Sequence, residues 1–319
     1  MSTEMTMVEA FRDGIRQVFS EDDRGFVMGE SVQHSLHGFT KGLVDEFGKD
    51  RIRDTPLAEQ AMTGLAIGSA QTGLRPIVEI MAADWSTLSV DSLVNVAAKM
   101  RYITNGESTC PMVLYAPIGP ARRTGIWHSN CYEQMFMVPG MQVLVPGTPA
   151  DAKGLLMSAY EEENPVTIFL PRSRLYEEGP VPEGRHTTPF DADVKRTGED
   201  VTLATYGSST HEALISAERL ADKGIDAEIV DVRSLLPFDD ETVLESVRKT
   251  GNLVVVHEGT QEYGFAGEIM SRVVESGVDL NSPPQRIGTP FTPTPLTKDE
   301  WIQDIKSDNI VETAENVVN

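Results

Sequence analysis

The chain has 319 residues, enough for about two domains of roughly 150 residues each. A hydrophobic fraction of 40% supports real cores, and no apolar run approaches the ~20 residues that span a bilayer. The formal net charge of −22 argues against nucleic acid as a partner; it suits a basic protein partner, a salt-rich cell or a merely well-solvated surface.

The opening residues Met1 to Thr6 lack a basic stretch, so no signal peptide is expected. Residues 7–19 then place apolar side chains at helical spacing, with Thr6 as the cap. Residues 26–28 predict a short buried strand ending at Gly29-Glu30, and 37–47 a helix stopped by Gly48. A helix opening on Pro56, with Glu59 in its first turn, precedes a strand at 76–81. Residues 85–103 read as a helix, 112–116 and 142–145 as strands, 149–162 as a helix capped by Thr148, and 166–170 as a strand. Strands alternating with helices of this length imply a mostly parallel sheet flanked by helices.

The pattern dissolves at 179–195, where Gly179-Pro180-Val181-Pro182 and Thr187-Thr188-Pro189 read as a linker. A second α/β unit follows, with strands at 201–206, 227–230 and 253–256 and helices starting near Thr210, Asp240 and Gly264. The expected organisation is a first domain at 1–178, the linker at 179–195 and a second domain at 196–319. No GxGxxG follows a first strand, and GxxxxGK[ST], HExxH, CxxC and GxSxG are all missing. The two cysteines, Cys110 and Cys131, point to a reducing cytoplasm.

Three stretches carry candidate chemistry beside Glu59. Around Glu59 the residues Ala61, Gly64, Ala66 and Gly68 leave little bulk, so a backbone or a flat ligand can approach. A carboxylate in such a wall is costly unless partnered, which prepares it to hold or share a proton; the plain alternative is a first-turn acid favoured by the helix dipole. Met81 to Ser86 follows a strand end, where α/β sheets place ligands, and offers Trp85 as a stacking surface or a core aromatic. The polar loop from Gly119 to Asn130 carries His128, able to move a proton, and Arg122 and Arg123, able to pair with an anion or to offset the acidity. His257-Glu258-Gly259, at a third strand end, reads mostly as turn and interface chemistry.

The order of these motifs is specific: Gly29-Glu30, Asp54-Thr55-Pro56-Leu57-Ala58-Glu59, Gly73-Leu74-Arg75-Pro76-Ile77-Val78-Glu79, His128-Ser129, Pro139-Gly140-Met141-Gln142-Val143, Asp151-Ala152-Lys153-Gly154-Leu155 and Val256-His257-Glu258. The series resembles the beta subunit of the thiamine-diphosphate-dependent, decarboxylating component of pyruvate, branched-chain 2-oxo-acid and acetoin dehydrogenases. It implies a transketolase-like pyrimidine-binding domain followed by a transketolase C-terminal domain. It implies that Glu59 holds a ring nitrogen of the cofactor's aminopyrimidine, that Trp85 stands where the family stacks an aromatic on that ring, and that Met81 packs beside it. It implies that His128 faces the substrate and guides acyl transfer to lipoyl.

The resemblance also implies partners. The diphosphate and Mg2+ belong to an alpha subunit with a Gly-Asp-Gly motif, a motif missing here, and the assembly would hold two alpha and two beta chains. A lipoyl-bearing acyltransferase core would receive the acyl group. Some relatives hold K+ through backbone carbonyls near Ala159, Glu162 and Asn164. The chain departs from the pattern at Ser31, His37, Pro120 and Asn130 and in the Arg122-Arg123 pair, changes near the substrate that leave the 2-oxo acid open and admit one with a second anionic group. Two rival readings remain at this point: the detached half of a transketolase or deoxyxylulose-phosphate synthase, and a non-catalytic assembly subunit.

Overall fold

The computed structural model describes residues 2–120, 124–295 and 304–319. They fall into two compact units: Met1–Ile118 with Met135–Pro189, and Gly119–Gln134 with Phe190–Asn319. Arg122 and Arg123 lie outside the described residues.

In the first unit, β1 (Ser2–Thr6) leads into α1 (Met7–Glu21). Thr6 caps α1 with its hydroxyl on the Glu9 N–H, while Glu9 reaches back to the Thr6 N–H. This reciprocal box satisfies two of the helix's orphan donors, and it holds the Glu9 carboxyl below its usual range. After β2 (Gly25–Gly29) and α2 (Leu43–Phe47) come β3 (Ile52–Asp54), α3 (Glu59–Gln71) and β4 (Arg75–Glu79). Then follow α4 (Ala83–Ser86), a π-helical stretch (Asp91–Ala97), α5 (Ala98–Ile103), β5 (Val113–Ile118), β6 (Gln142–Leu144), α6 (Pro149–Glu161), β7 (Val166–Pro171) and β8 (Glu178–Pro182).

The strands order as β6-β7-β5-β4-β2-β3, all parallel. Their register lines up Asp54, Gly29, Glu79 and Tyr115 across the carboxyl edge. That edge therefore receives whatever follows β2, β3 and β4. Gly29 is required there, because a Cβ would stand 2.8 Å from Glu79 Cβ.

The α1 stripe of Met7, Val8, Phe11, Ile15, Val18 and Phe19 is buried. It meets α6 closely at Gly14, where a Cβ would lie 3.0 Å from Leu156 Cδ2. Phe11 packs on Tyr115 at 4.7 Å and Phe39 at 5.5 Å between ring centres.

The second unit contains β9 (Asp193–Arg196), β10 (Val201–Thr205), α7 (Ser208–Ala221), β11 (Ala227–Asp231), β12 (Ser234–Leu236), α8 (Asp240–Thr250), β13 (Leu253–Thr260), α9 (Ala266–Glu275), β14 (Gln285–Thr289) and α10 (Ser307–Val318). Its sheet runs β14-β13-β10-β11-β9, parallel except for β9. Val201, Leu203, Ile229, Val254 and Val256 form its core with α7 and α10. Among the described residues no helix is long and apolar enough to cross a membrane.

The structure corrects several element readings. The helix expected at 37–47 survives only as α2, because Ser31, Ser35, Gly38 and Gly42 all take positive φ and break the preceding chain into turns. Pro56 stands outside α3, which starts at Glu59 with Ala58 as its cap. The stretch read as a linker begins as β8, paired antiparallel with β1. Pro180 and Pro182 lack an N–H, so they fit this two-stranded ribbon and would not fit inside a sheet. Past β8, Thr188 bonds Gly154 and Ser158 of α6, and a Cβ on Gly154 would meet Thr188 Oγ1 at 1.9 Å.

Phe11→Ala should cost about 3–5 kcal/mol in denaturant unfolding, the range for emptying an aromatic site in a packed core. A loss below about 1 kcal/mol would contradict the packing described.

Candidate active site

Glu59 is the first residue of α3, half-buried, at the positive end of the helix dipole. Its carbonyl is tied down. Thr63 Oγ1 lies 2.8 Å from the Glu59 oxygen and 2.7 Å from Ser89 Oγ, and Ser89 Oγ lies 3.3 Å from the same oxygen. Both hydroxyl residues are fully buried. They join the start of α3 to the helical segment that opens at Ala83 and carries Trp85.

Met81 is half-buried just beyond β4, and its carbonyl accepts from Arg172 Nη2 at 3.5 Å. Trp85 on α4 keeps 37% of its surface exposed, unusual for a large indole. Glu59, Met81 and Trp85 thus gather at the carboxyl edge of the first sheet. Below them Glu79 is buried, bonded by the Tyr115 hydroxyl and 3.9 Å from His37 Nδ1. Burial and then the Glu79 carboxylate push the Tyr115 phenol well above its ordinary range, so it stays a neutral donor.

The face around Glu59 is open. A Cβ on Gly64 or Gly68 would meet nothing within 4 Å. Leu57, Leu65 and Leu88 are more than half exposed, and elsewhere on the unit so are Tyr102 and Ile103 at the end of α5. Large apolar side chains left exposed are what a partner chain or ligand typically covers.

His128 is half-buried on the loop that begins at Gly119, directly after β5, and it belongs with the second unit. Its N–H donates to Gly125 O at 3.1 Å, and Gly119 N–H closes the loop on Asn130 O at 3.4 Å. The carbonyls offered to a monovalent cation sit in the last turn of α6 and just past it: that of Ala159 accepts Glu162 N–H, and that of Glu162 accepts Arg75 Nη1 at 2.9 Å, while Asn164 Oδ1 lies 3.4 Å from Arg101 Nη1. Among the described residues no group of three or more His, Cys, Asp or Glu could hold a metal ion.

Two family models match the chain: the transketolase pyrimidine binding domain over residues 3–177 and the transketolase C-terminal domain over 191–309. The beta subunit of 2-oxoisovalerate dehydrogenase of Bacillus subtilis is 39% identical, the match covering 91% of this chain and 90% of that one. The pyruvate dehydrogenase E1 component subunit beta of the same organism is 37% identical over 99% of both chains. The chain belongs to the E1 beta subunits of 2-oxo-acid dehydrogenases. Another similar protein is the beta subunit of acetoin:2,6-dichlorophenolindophenol oxidoreductase of Cupriavidus necator, 39% identical over 92% of this chain and 93% of its own. A solved split-gene transketolase, described as an inactive beta4 tetramer, superimposes with a TM-score of 0.78 over 98% of both chains at 22% identity, which shows the shared fold.

Two structural features of this E1 beta subunit join residues that no single motif in the sequence links. The first is the Thr63–Ser89 tie, whose members are 26 positions apart. The second is a buried cluster of Glu133, Tyr206 and His257 in the second unit. Tyr206 Oη donates to Glu133 Oε1 at 3.0 Å and lies 3.1 Å from His257 Nδ1. Burial raises the Glu133 carboxyl, holding it toward its neutral form. Burial, with a smaller push from Arg286, lowers the His257 imidazole to about 4.

His257 therefore stays neutral in the folded chain while an unfolded histidine protonates below about 6.5. Its contribution to stability is complete above pH 6.5 and is lost as pH falls from there toward 4, by about 3 kcal/mol. Glu133 acts in the opposite sense, losing stability as pH rises above the ordinary carboxyl range. His257→Phe should flatten the acid slope of the unfolding free energy between pH 6.5 and 4. An unchanged slope would contradict the neutral buried imidazole.

Proposed function

We propose that this chain is the beta half of a thiamine-diphosphate-dependent 2-oxo-acid dehydrogenase, active only when an alpha subunit completes the site. The observation that carries the reading is Glu59 at the carboxyl edge of the first sheet, its carbonyl bonded by Thr63 and by Ser89 of the segment that follows a partly exposed Trp85. The residues present suit the cofactor's aminopyrimidine. Trp85 offers a partly exposed indole for stacking and Met81 a flexible apolar side, while Gly64 and Gly68, farther along α3, leave room for another chain. Bound there, the cofactor would supply the electron sink that lets a 2-oxo acid lose carbon dioxide.

The roles of this chain's residues follow from their chemistry. Glu59 would hold a ring nitrogen of the pyrimidine and set its tautomer, a positioned acid–base worth about 10²–10⁴ in rate. Trp85 and Met81 would fix the plane of the ring. His128 would face the substrate and guide the acyl group to lipoyl on an acyltransferase core. The diphosphate and its Mg2+ would sit on the alpha subunit, which would cover the exposed Leu57, Leu65 and Leu88 in an assembly of two alpha and two beta chains. A monovalent cation near Ala159, Glu162 and Asn164 would share the Glu162 carbonyl with Arg75.

Mixing this chain with an alpha chain that bears Gly-Asp-Gly should produce decarboxylation of a 2-oxo acid that neither chain shows alone. Decarboxylation by this chain alone, or ketol transfer to a sugar phosphate in the mixture, would overturn the reading. In the mixture, Trp85→Ala should weaken cofactor binding about tenfold by titration calorimetry, the loss of one good aromatic stack.

A further inference from the structure

The loop carrying His128 stands on the end of β13 at both feet. At its first foot Gly119 lies so close to Glu258 that a Cβ would be 3.1 Å from Glu258 Oε1. At its second foot Glu133, five residues past His128, reaches Tyr206, which in turn reaches His257. Between the feet Thr124 Oγ1 lies 2.7 Å from Ser129 Oγ, and Asn130 Nδ2 donates to Ile126 O at 2.5 Å.

At the second foot Tyr206 Oη stands between Glu133 and His257: it donates to Glu133 Oε1 and lies within hydrogen-bond distance of His257 Nδ1. Space for that ring comes from two glycines. A Cβ on Gly264 would stand 2.3 Å from His257 Cε1, and one on Gly259 would stand 2.9 Å from Nδ1 and 3.3 Å from Glu133 Oε1. All three polar side chains are at most 3% exposed, and Glu133 Oε2 and His257 Nε2 have no hydrogen-bond partner among the described residues. An apolar trio would fill the same volume without burying unpaired polar atoms. What the polar trio adds is direction, because a hydrogen-bonded chain admits one placement of Glu133 where an apolar contact admits many.

We propose that Tyr206, backed by His257, is a positioning residue for His128: it pins Glu133 and so holds the loop in the one arrangement that presents His128 for acyl transfer. This rests on the reading that His128 faces the substrate. The clamp itself is independent of that reading and has its own readout.

The test uses the assembled alpha–beta complex. Peptides covering residues 119–134 are followed by hydrogen exchange, and acyl transfer to a lipoyl domain is followed beside decarboxylation coupled to an artificial oxidant. Tyr206→Phe keeps the ring and removes only the hydroxyl. It should speed exchange in the loop about tenfold, lower kcat for lipoyl acylation about tenfold and leave KM for the 2-oxo acid within twofold. Glu133→Gln keeps an acceptor for the phenol and should stay within twofold of wild type, while Glu133→Ala should match Tyr206→Phe. Tyr206→Phe added to His128→Ala should slow acylation no further than His128→Ala alone. Unchanged loop exchange in Tyr206→Phe, or effects of Tyr206→Phe and His128→Ala that multiply, would overturn the clamp. Wild-type acylation by His128→Ala would instead overturn the role given to His128.

Discussion

Two hydroxyls, from Thr63 and Ser89, share the carbonyl of Glu59, and the rest of the first unit's chemistry depends on that tie. The cap of α3, Ala58, makes no side-chain hydrogen bond, so this tie is what links the first turn of the helix to a neighbouring segment. It fixes the backbone of the acid to the helical segment that opens at Ala83 and carries Trp85. The carboxylate can then serve a bound ring without giving up freedom at the moment of binding, which is how a preorganised group contributes most.

The sheet supplies the second constraint. Its register brings the ends of β2, β3, β4 and β5 level, so the residues just past β3 and β4 reach the same edge. The glycine at position 29 and the buried Glu79–Tyr115 pair keep that edge compact, and the apolar side chains around Glu59 are left uncovered. A chain with two well-filled cores that still exposes Leu57, Leu65, Tyr102 and Ile103 has the surface of an incomplete object. The second unit uses the same logic with different residues. The end of β13 carries His257 and Glu258 to the loop that bears His128, and the buried phenol of Tyr206 links them to Glu133.

Much of this fold was legible because it is periodic. The α1 stripe, the Thr6 and Thr148 caps and the buried strands follow from spacing and capping chemistry alone, and α1, α6, β2, β5, β7, β10, β11 and β13 lie where those signals place them. The failures share a cause. The stretch at 37–47 reads as helical, but Gly38 and Gly42 take positive φ, which no helical spacing announces, and only Leu43–Phe47 is helical. β1 and β8 pair antiparallel as a separate ribbon, β9 pairs antiparallel at a sheet edge, and all three lack the apolar runs of central strands. The site was legible only in part for a similar reason. Glu59, Met81 and Trp85 stand in recognisable motifs. Thr63, Ser89, Glu133 and Tyr206 act through partners distant in the chain, and no spacing announces them.

The central claim is that the Glu59 carboxylate activates the cofactor. The most direct measurement is hydrogen–deuterium exchange at the thiazolium carbon of thiamine diphosphate bound to the assembled enzyme, comparing wild type with Glu59→Gln. Exchange slowed by about 10²-fold or more in the variant, with assembly and cofactor binding intact, is the expected result. Exchange at the wild-type rate would contradict the account.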